Sequence, residues 1–267
     1  GRFVGKLFQV EKDLDDLRKE AEAFDPVSLF KKKFVGSRAD RKFKPADLAR
    51  LDAVDLERKR RALVKTLPGE DEEQATARTV LALMEKEAES AEALAMLEAW
   101  AYAFPRSEKT KSQAHAWASL RHPKTLNFES LVELERPLKD IPEMVEGPGH
   151  LRRRRDGFKL TDPRMAPRQV AGEVDYCLYC HERERDSCSK GLFEKDGSNK
   201  KNPLGIPIPG CPLDEKISEA QLLQKHGETL GALAVILVDN PMAPGTGHRI
   251  CNDCMKACIF QKQEPVN

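Results

Sequence analysis

Apolar residues recur along this chain at helical rather than strand spacing. Phe3, Val4, Leu7, Leu14 and Leu17 form one stripe, with Glu11, Lys12, Asp15 and Asp16 on the opposite face. That pattern predicts a core-packed amphipathic helix, a break at Asp25-Pro26, and a second helix start carrying the i, i+4 pair Phe30 and Phe34. Residues 71–104 give the strongest helix. Val80, Leu81, Met84, Ala88, Ala91, Leu94, Ala95 and Trp100 keep its spacing, good helix formers fill it, and Pro105 ends it. A short helix is expected over Gln113–Leu120. Further on, Asp214–His226 reads as a helix bearing Ile217, Leu222 and Leu223. Thr229–Val238 is almost wholly apolar and predicts a buried helix stopped by Asp239-Asn240-Pro241. No alternating strand pair appears, so the expected fold class is mainly α.

Between these helices the chain changes character. Residues 37–70 carry Lys42, Lys44, Arg50, Arg58, Lys59, Arg60 and Arg61 among acids, with helix starts at Pro45 and Asp52. Such a run reads as a solvated face. With few aromatics to stack on bases, no nucleic-acid partner is expected. Pro137, Pro142, Pro148, Pro163 and Pro167 break up residues 123–172. Arg152-Arg153-Arg154-Arg155 reads either as a solvated linker or as a dock for an acidic partner or phosphate, and a soft boundary falls here. His115 and His122 lack a partner at ligand spacing and are expected to be packing or surface residues. Gly191 to Gly205 has the composition of an exposed loop. Gly245-x-Gly247 lacks the third glycine and the preceding strand of a nucleotide loop.

Overall charge adds little: 45 Lys and Arg against 44 Asp and Glu leave +1 over 267 residues. That balance exerts no general pull toward nucleic acid or membrane. No apolar run is long enough for a membrane span, and no signal peptide opens the chain. Seven cysteines, an odd number, point to a reducing cytoplasm rather than to disulfides. The chain begins at Gly1 and stops at Glu264-Pro265-Val266-Asn267, and we read it as a piece of a longer polypeptide.

The candidate chemistry lies in those cysteines. All seven fall between Cys177 and Cys258, and the 176 residues before them have none. Cys177-x-x-Cys180 is one pair, Cys188 follows, Cys211 sits in Gly210-Cys211-Pro212, and the last three read Cys251-x-x-Cys254-x-x-x-Cys258. Thiolates grouped this way suit iron–sulfur clusters or zinc. A zinc site would use Cys177, Cys180, Cys251 and Cys254 and leave three cysteines idle. In one continuous helix Cys251, Cys254 and Cys258 would share a face, which would favour a single site taking all three. Ile250, Ile259 and Phe260 are apolar neighbours able to exclude water.

The stretch from Cys177 to Asn267 resembles the N-terminal iron–sulfur domain of the glutamate synthase small subunit and of dihydropyrimidine dehydrogenase. The residues carrying the likeness are the Cys177/Cys180 pair, Gly210-Cys211-Pro212-Leu213, the two-helix spacer, Asp239-Asn240-Pro241, Cys251/Cys254/Cys258 and Glu264-Pro265-Val266. It covers about the last third of the chain. The resemblance implies an α-helical ferredoxin-like domain with two [4Fe-4S] clusters, the first held by Cys177, Cys180, Cys188 and Cys258. The second would take Cys211, Cys251, Cys254 and a Gln or Glu further on, the nearest being Gln261, Gln263 and Glu264. It also implies FAD and NAD(P)H in downstream domains, a flavin domain of the same polypeptide as partner, and a redox partner subunit. The chain departs from the family in a wide Cys180–Cys188 gap and in the long insertion before Cys211. The expected organisation is a cofactor-free helical scaffold or docking region over residues 1–155, then an iron–sulfur domain over 156–267. The expected function is an electron-transfer module of a flavin- and NAD(P)H-dependent oxidoreductase, with no turnover of its own. The alternative is a structural zinc-binding helical interaction module.

Overall fold

The computed structural model describes residues 2–149, 152, 157, 165–246 and 251–266. It is mainly helical, 54% helix, with only isolated β-bridges and no strand among the described residues. Arg153, Arg154, Arg155, Pro163, Gly247 and Ile250 lie outside them.

The first helices depart from their sequence reading in an instructive way. α1 (Arg2–Phe8) is separated from α2 (Glu11–Phe30) at Gln9 and Val10, and α2 runs straight through Pro26. A proline inside a helix costs about 3 kcal/mol. Burial of Phe24, Val27 and Phe30 on either side of it offsets that cost. The chain continues as a π-helical stretch, Lys31–Ala39, and one turn of α3 (Asp40–Lys42). Its wider winding keeps Phe34, Val35 and Ala39 in the core, and Phe30 stacks on Phe34 with centroids 5.6 Å apart. Phe3, Val4 and Leu7, expected in the core, are exposed instead, because α2 is the main element that α1 packs on among the described residues.

Next come α4 (Ala53–Leu63), α5 (Glu72–Glu85), α6 (Ala91–Ala103) and the single turn α7 (Lys111–Ala114). Their caps are local chemistry. The Asp52 carboxylate accepts from the backbone N–H groups of Val54 (3.0 Å) and Asp55 (3.2 Å), and Asp71 and Gln74 form a reciprocal capping box. The single helix expected over 71–104 is two helices, broken at 86–90. At about 1.5 Å per residue an unbroken helix would hold Val80 and Trp100 roughly 30 Å apart. The break lets both join one core with Phe30, Leu97, Phe104, Trp117 and Leu120. Likewise Gln113–Leu120 is one helical turn followed by turns that bury Trp117 and Leu120.

The charge run is not uniformly solvated. Arg60 is 1% exposed and Glu57 is also buried. The guanidinium grips Glu57 through two bonds of 2.8 and 2.7 Å, donates to Thr76 Oγ1 (2.8 Å), and lies over the rings of Trp100 and Trp117. Trp100 Nε1 donates to the same carboxylate at 2.7 Å. Burial alone would push the Glu57 carboxyl up, but these donors hold it below its ordinary value. His122 bonds Asp40 at 2.8 Å on the surface, and His115 is exposed.

α8 (Pro167–Tyr176) packs on α2 and leads to the first cysteine. Asp175 accepts from Ser28 Oγ (2.6 Å) and Lys32 Nζ (2.7 Å), and Arg168 reaches Asp71 (2.6 Å) and Glu73 (3.0 Å). Beyond it stand α9 (Ser187–Lys190), α10 (Ile217–Lys225), α11 (Thr229–Asp239), α12 (Ala243–Thr246) and α13 (Asp253–Lys256). α10 and α11 form a hairpin about Gly227, whose left-handed turn lies against Arg18; an added Cβ would sit 2.6 Å from the Arg18 Cα. The apolar α11, expected buried, is not. Ala232 alone of its side chains is buried, and Leu233 and Val238 are exposed, because α10 is its main packing partner.

Candidate metal centre

α8 delivers the first pair. Cys177 leaves the helix in extended conformation and Tyr179 takes left-handed dihedrals (φ 49°, ψ 56°), so the chain doubles back to Cys180 within one tight turn. A non-glycine residue there costs about 1–2 kcal/mol. Tyr179 is anchored by its Oη donating to the Val174 carbonyl (2.7 Å) and by Lys225 over its ring. The same turn aims the Tyr179 backbone N–H at Cys177 Sγ, 3.4 Å away.

Cys188 lies in α9, and α9 packs against both α13 and α10. The insertion after it is a pair of small hairpins, with bridges Phe193 to Asn199 and Lys201 to Pro207. Phe193, Leu204 and Ile206 are exposed, as a loop composition suggests, while Ile208 is buried at the base. Gly191 and Gly210 close that base. A Cβ on Gly210 would meet the Gly191 nitrogen at 2.4 Å, and one on Gly191 the Pro209 carbonyl at 2.5 Å. Neither position tolerates a side chain. The closure lets the Cys211 N–H donate to the Cys188 and Ser189 carbonyls, each at 3.0 Å. The long insertion therefore loops out without parting Cys188 from Cys211.

At the other end α13 is only four residues long and the chain turns after it. Cys251, Cys254 and Cys258 consequently do not share one helical face. Cys258 is buried and borders a pocket with Cys177, Cys180, Cys188, Ser187, Ile217, Ser218, Ile259 and Phe260; Cys254 lines it too. Ile259 covers the pocket but keeps an exposed outer face.

The electrostatics sort the thiols. Burial pushes Cys177 up to about 11, with Cys180 and Cys258 adding to the rise. Burial also raises Cys180 and Cys188, and Cys258 again adds to each. On the other side burial raises Cys211 and pushes Cys254 up to about 11; Cys251 and Glu215 add to both. In their mutual charge effects 177, 180, 188 and 258 go together, and 211, 251 and 254 go together, while Cys254 also lines the pocket of the first group and Cys251 is exposed. The N–H groups of Leu213 and Glu215 point at Cys211 Sγ, and that of Met255 at Cys254 Sγ, favouring the thiolate at each. All seven cysteines are unpaired thiols.

Among the described residues, no three Cys, His, Asp or Glu side chains converge on a point that would hold a single metal ion. One orphan is informative. The Ser187 hydroxyl is buried, lines this cysteine pocket and has no hydrogen-bond partner. Sequence reasoning missed it, since a serine before a cysteine carries no signal by itself. Two of the expected fourth-ligand residues are engaged elsewhere. Gln263 donates to Tyr176 Oη (3.1 Å), and the Glu264 carboxylate is held by Arg121 and the Lys124 N–H. Tyr176 in turn stacks on Phe260 with centroids 4.4 Å apart, fixing the chain just past Cys258.

No family model matches the chain, and no solved structure matches it. It is similar to two uncharacterized proteins of Rickettsia prowazekii (strain Madrid E). One is 77% identical over 26 residues, which is 10% of this chain and 4% of that relative's length. The other is 25% identical over 232 residues, covering 83% of this chain and 76% of the relative.

Proposed function

We propose that this chain is an electron-transfer module that holds two [4Fe-4S] clusters and serves a flavin- and NAD(P)H-dependent oxidoreductase. The observation carrying the reading is the sorting of seven thiols into a set of four and a set of three, matching the ligand sets implied by the family resemblance. The residues present fit such a group in three further respects. Backbone N–H groups are aimed at Cys177, Cys211 and Cys254, as suits thiolates that keep negative charge when bound to iron. The buried Ser187 hydroxyl has a donor to spend and no protein acceptor. The apolar walls Ile217, Ile259 and Phe260 limit water, which tunes the potential of a bound centre.

When bound, the clusters supply one-electron steps between a flavin and a second redox centre. The chain's own part is to hold and screen them. Cys177, Cys180, Cys188 and Cys258 would hold the first, and Cys211, Cys251 and Cys254 the second. Binding requires the thiols to lose their protons, and burial raises Cys177, Cys180, Cys188, Cys211 and Cys254, so loading strengthens as pH rises. α8 ties the first site to α2 through Asp175, Ser28 and Lys32, giving it a rigid mount.

Zinc fits the geometry less well. Tetrahedral zinc with Zn–S near 2.3 Å needs its sulfurs roughly 3.8 Å apart. The zinc set would also draw Cys177 and Cys180 from one environment and Cys251 and Cys254 from the other. The test is anaerobic purification or reconstitution of the full chain, with iron, sulfide and zinc measured per chain. A brown protein with about eight iron and eight sulfide is expected. A colourless, zinc-loaded protein without sulfide would overturn the reading.

A further inference from the structure

The cavity bordered by Cys177, Cys180, Cys188 and Cys258 contains a hydroxyl with nothing to bond, that of Ser187. We propose that Ser187 Oγ donates a hydrogen bond to a sulfur of the first cluster and thereby raises that cluster's reduction potential; this rests on the cluster reading above.

The placement is geometric. Ser187 is 4% exposed, its hydroxyl has no partner among the described residues, and it lines the cavity. Its backbone is pinned on both sides. The Ser187 N–H donates to the Arg185 carbonyl (2.8 Å), and the Ser187 carbonyl accepts from the Gly191 N–H (2.9 Å). Gly191 is packed in turn against the Pro209 carbonyl, so α9 has no room to slide and carry the hydroxyl to water.

The cavity offers that hydroxyl few acceptors. Only Ser187, Ser218 and Gln221 bring side-chain oxygen or nitrogen to its lining; the rest is hydrocarbon and the sulfur of five cysteines and Met255. Ser218, 1% exposed, is bonded to His181 Nδ1 at 2.7 Å, and Gln221 is engaged as well. What remains for the Ser187 proton is sulfur, and four of the five cysteines belong to the first ligand set.

A neutral thiol is a weak acceptor, whereas a hydrogen bond to an ionised sulfur is charge-assisted and stronger. The hydroxyl is therefore idle in the metal-free chain and comes into use when the thiols ionise around iron and sulfide. Reduction adds one negative charge to a cluster. An O–H dipole aimed at its sulfur favours the reduced form over the oxidised one, and the potential rises. A hydrogen bond to a charged group biases such an equilibrium by roughly tenfold, which is about 59 mV for a one-electron couple.

The experiment compares wild type with Ser187→Ala and Ser187→Thr in the full chain, reconstituted without air from ferrous iron and sulfide. Redox titration followed by the paramagnetic signal gives the potentials. Resonance Raman in H2O and D2O gives the isotope shift of the iron–sulfur stretches. S187A should take up as much iron and sulfide as wild type, lower one cluster's potential by about 59 mV, and lose part of the deuterium shift. S187T, which keeps the hydroxyl, should restore both. In chelator-treated protein S187A should unfold at the same or a higher denaturant concentration, because it deletes an unmet buried group. A lower midpoint would show that the hydroxyl has a partner within the protein and overturn the proposal. Unchanged potentials in S187A would overturn it and leave the two-cluster reading intact. A fall in potential with the deuterium shift retained would assign the effect to water entering the cavity and overturn it too. Wild type that takes up no iron and sulfide would overturn both.

Discussion

The helical core around Trp100 and the cysteine region around Cys258 solve the same problem, burying polar groups, in opposite ways. In the first, Arg60, Glu57, Thr76 and Trp100 satisfy one another completely, and the aromatic rings close over them. In the second, protein contacts leave the accounts open. Among the described residues, every buried side-chain oxygen lacking a hydrogen bond lies past residue 186: Ser187, Asn199, Glu219 and Thr229. Among the described residues, four of the five non-glycine residues with left-handed φ lie past residue 176: Tyr179, Glu184, Asp214 and Asn252. Strain and unmet polar groups persist where something else over-determines the fold. The N-terminal core is held by its own side chains; the cysteine region leaves groups unmet that the clusters proposed above would complete.

This contrast can be broken at either end. The largest effect is expected from removing one ligand set at a time. Cys177→Ser with Cys180→Ser should halve the iron content and leave the durable cluster absent; Cys211→Ser with Cys254→Ser should halve it and spare that cluster. Equal loss of all iron in both variants would mean that the sets are not independent sites.

In the other region, Arg60→Ala should cost about 3–5 kcal/mol, because Glu57 is left buried without its partner. Denaturant unfolding followed by tryptophan fluorescence reads this directly. Iron content in native buffer should not change, and a variant that kept its stability would show the network to be ornamental.

A smaller effect is expected from pH on metal-free protein. Burial raises Cys177 and Cys254 from 9.0 to about 11, so the folded chain keeps protons that the unfolded chain gives up. Their contribution to stability is complete below pH 9.0 and is lost as pH rises through about 11. The denaturant midpoint of chelator-treated protein should fall across that window. A midpoint that climbs there would show the thiols to be ionised in the fold.

The smallest effect belongs to the strained turn at Glu184, an exposed residue at φ 55°. Glu184→Gly should be neutral or stabilising by up to about 1 kcal/mol, and Glu184→Val destabilising by about 1–2 kcal/mol. Thermal melts of the two variants would separate them, and a reversed order would remove strain from the account.

Much of this was open to reading in the residues. The helical class, the Asp52 start, the Phe30–Phe34 stack and the exposed insertion all follow from spacing and local chemistry. What escaped depends on the third dimension. Pro26 looks like a break until Phe24, Val27 and Phe30 are seen packed around it. Residues 71–104 look like one helix until both halves must share a core. Arg60 looks solvated because nothing in a run of charges says which one will meet two tryptophans. In the cysteine region the spacings marked the residues, but no spacing could tell that Gly191 and Gly210 would meet and bring Cys188 beside Cys211. Nor could it tell that Ser187 would be left without a partner while Glu264 found Arg121.

The central proposal is that the cysteine region is completed by bound clusters and the Trp100 core is not. Amide hydrogen exchange on the full chain, iron-loaded and chelator-stripped, tests it most directly. The account predicts that stripping removes protection from 177–190, 211–217 and 251–260, while α2, α5 and α6 exchange as slowly as before. Protection unchanged in the cysteine segments, or lost equally in both regions, would contradict it.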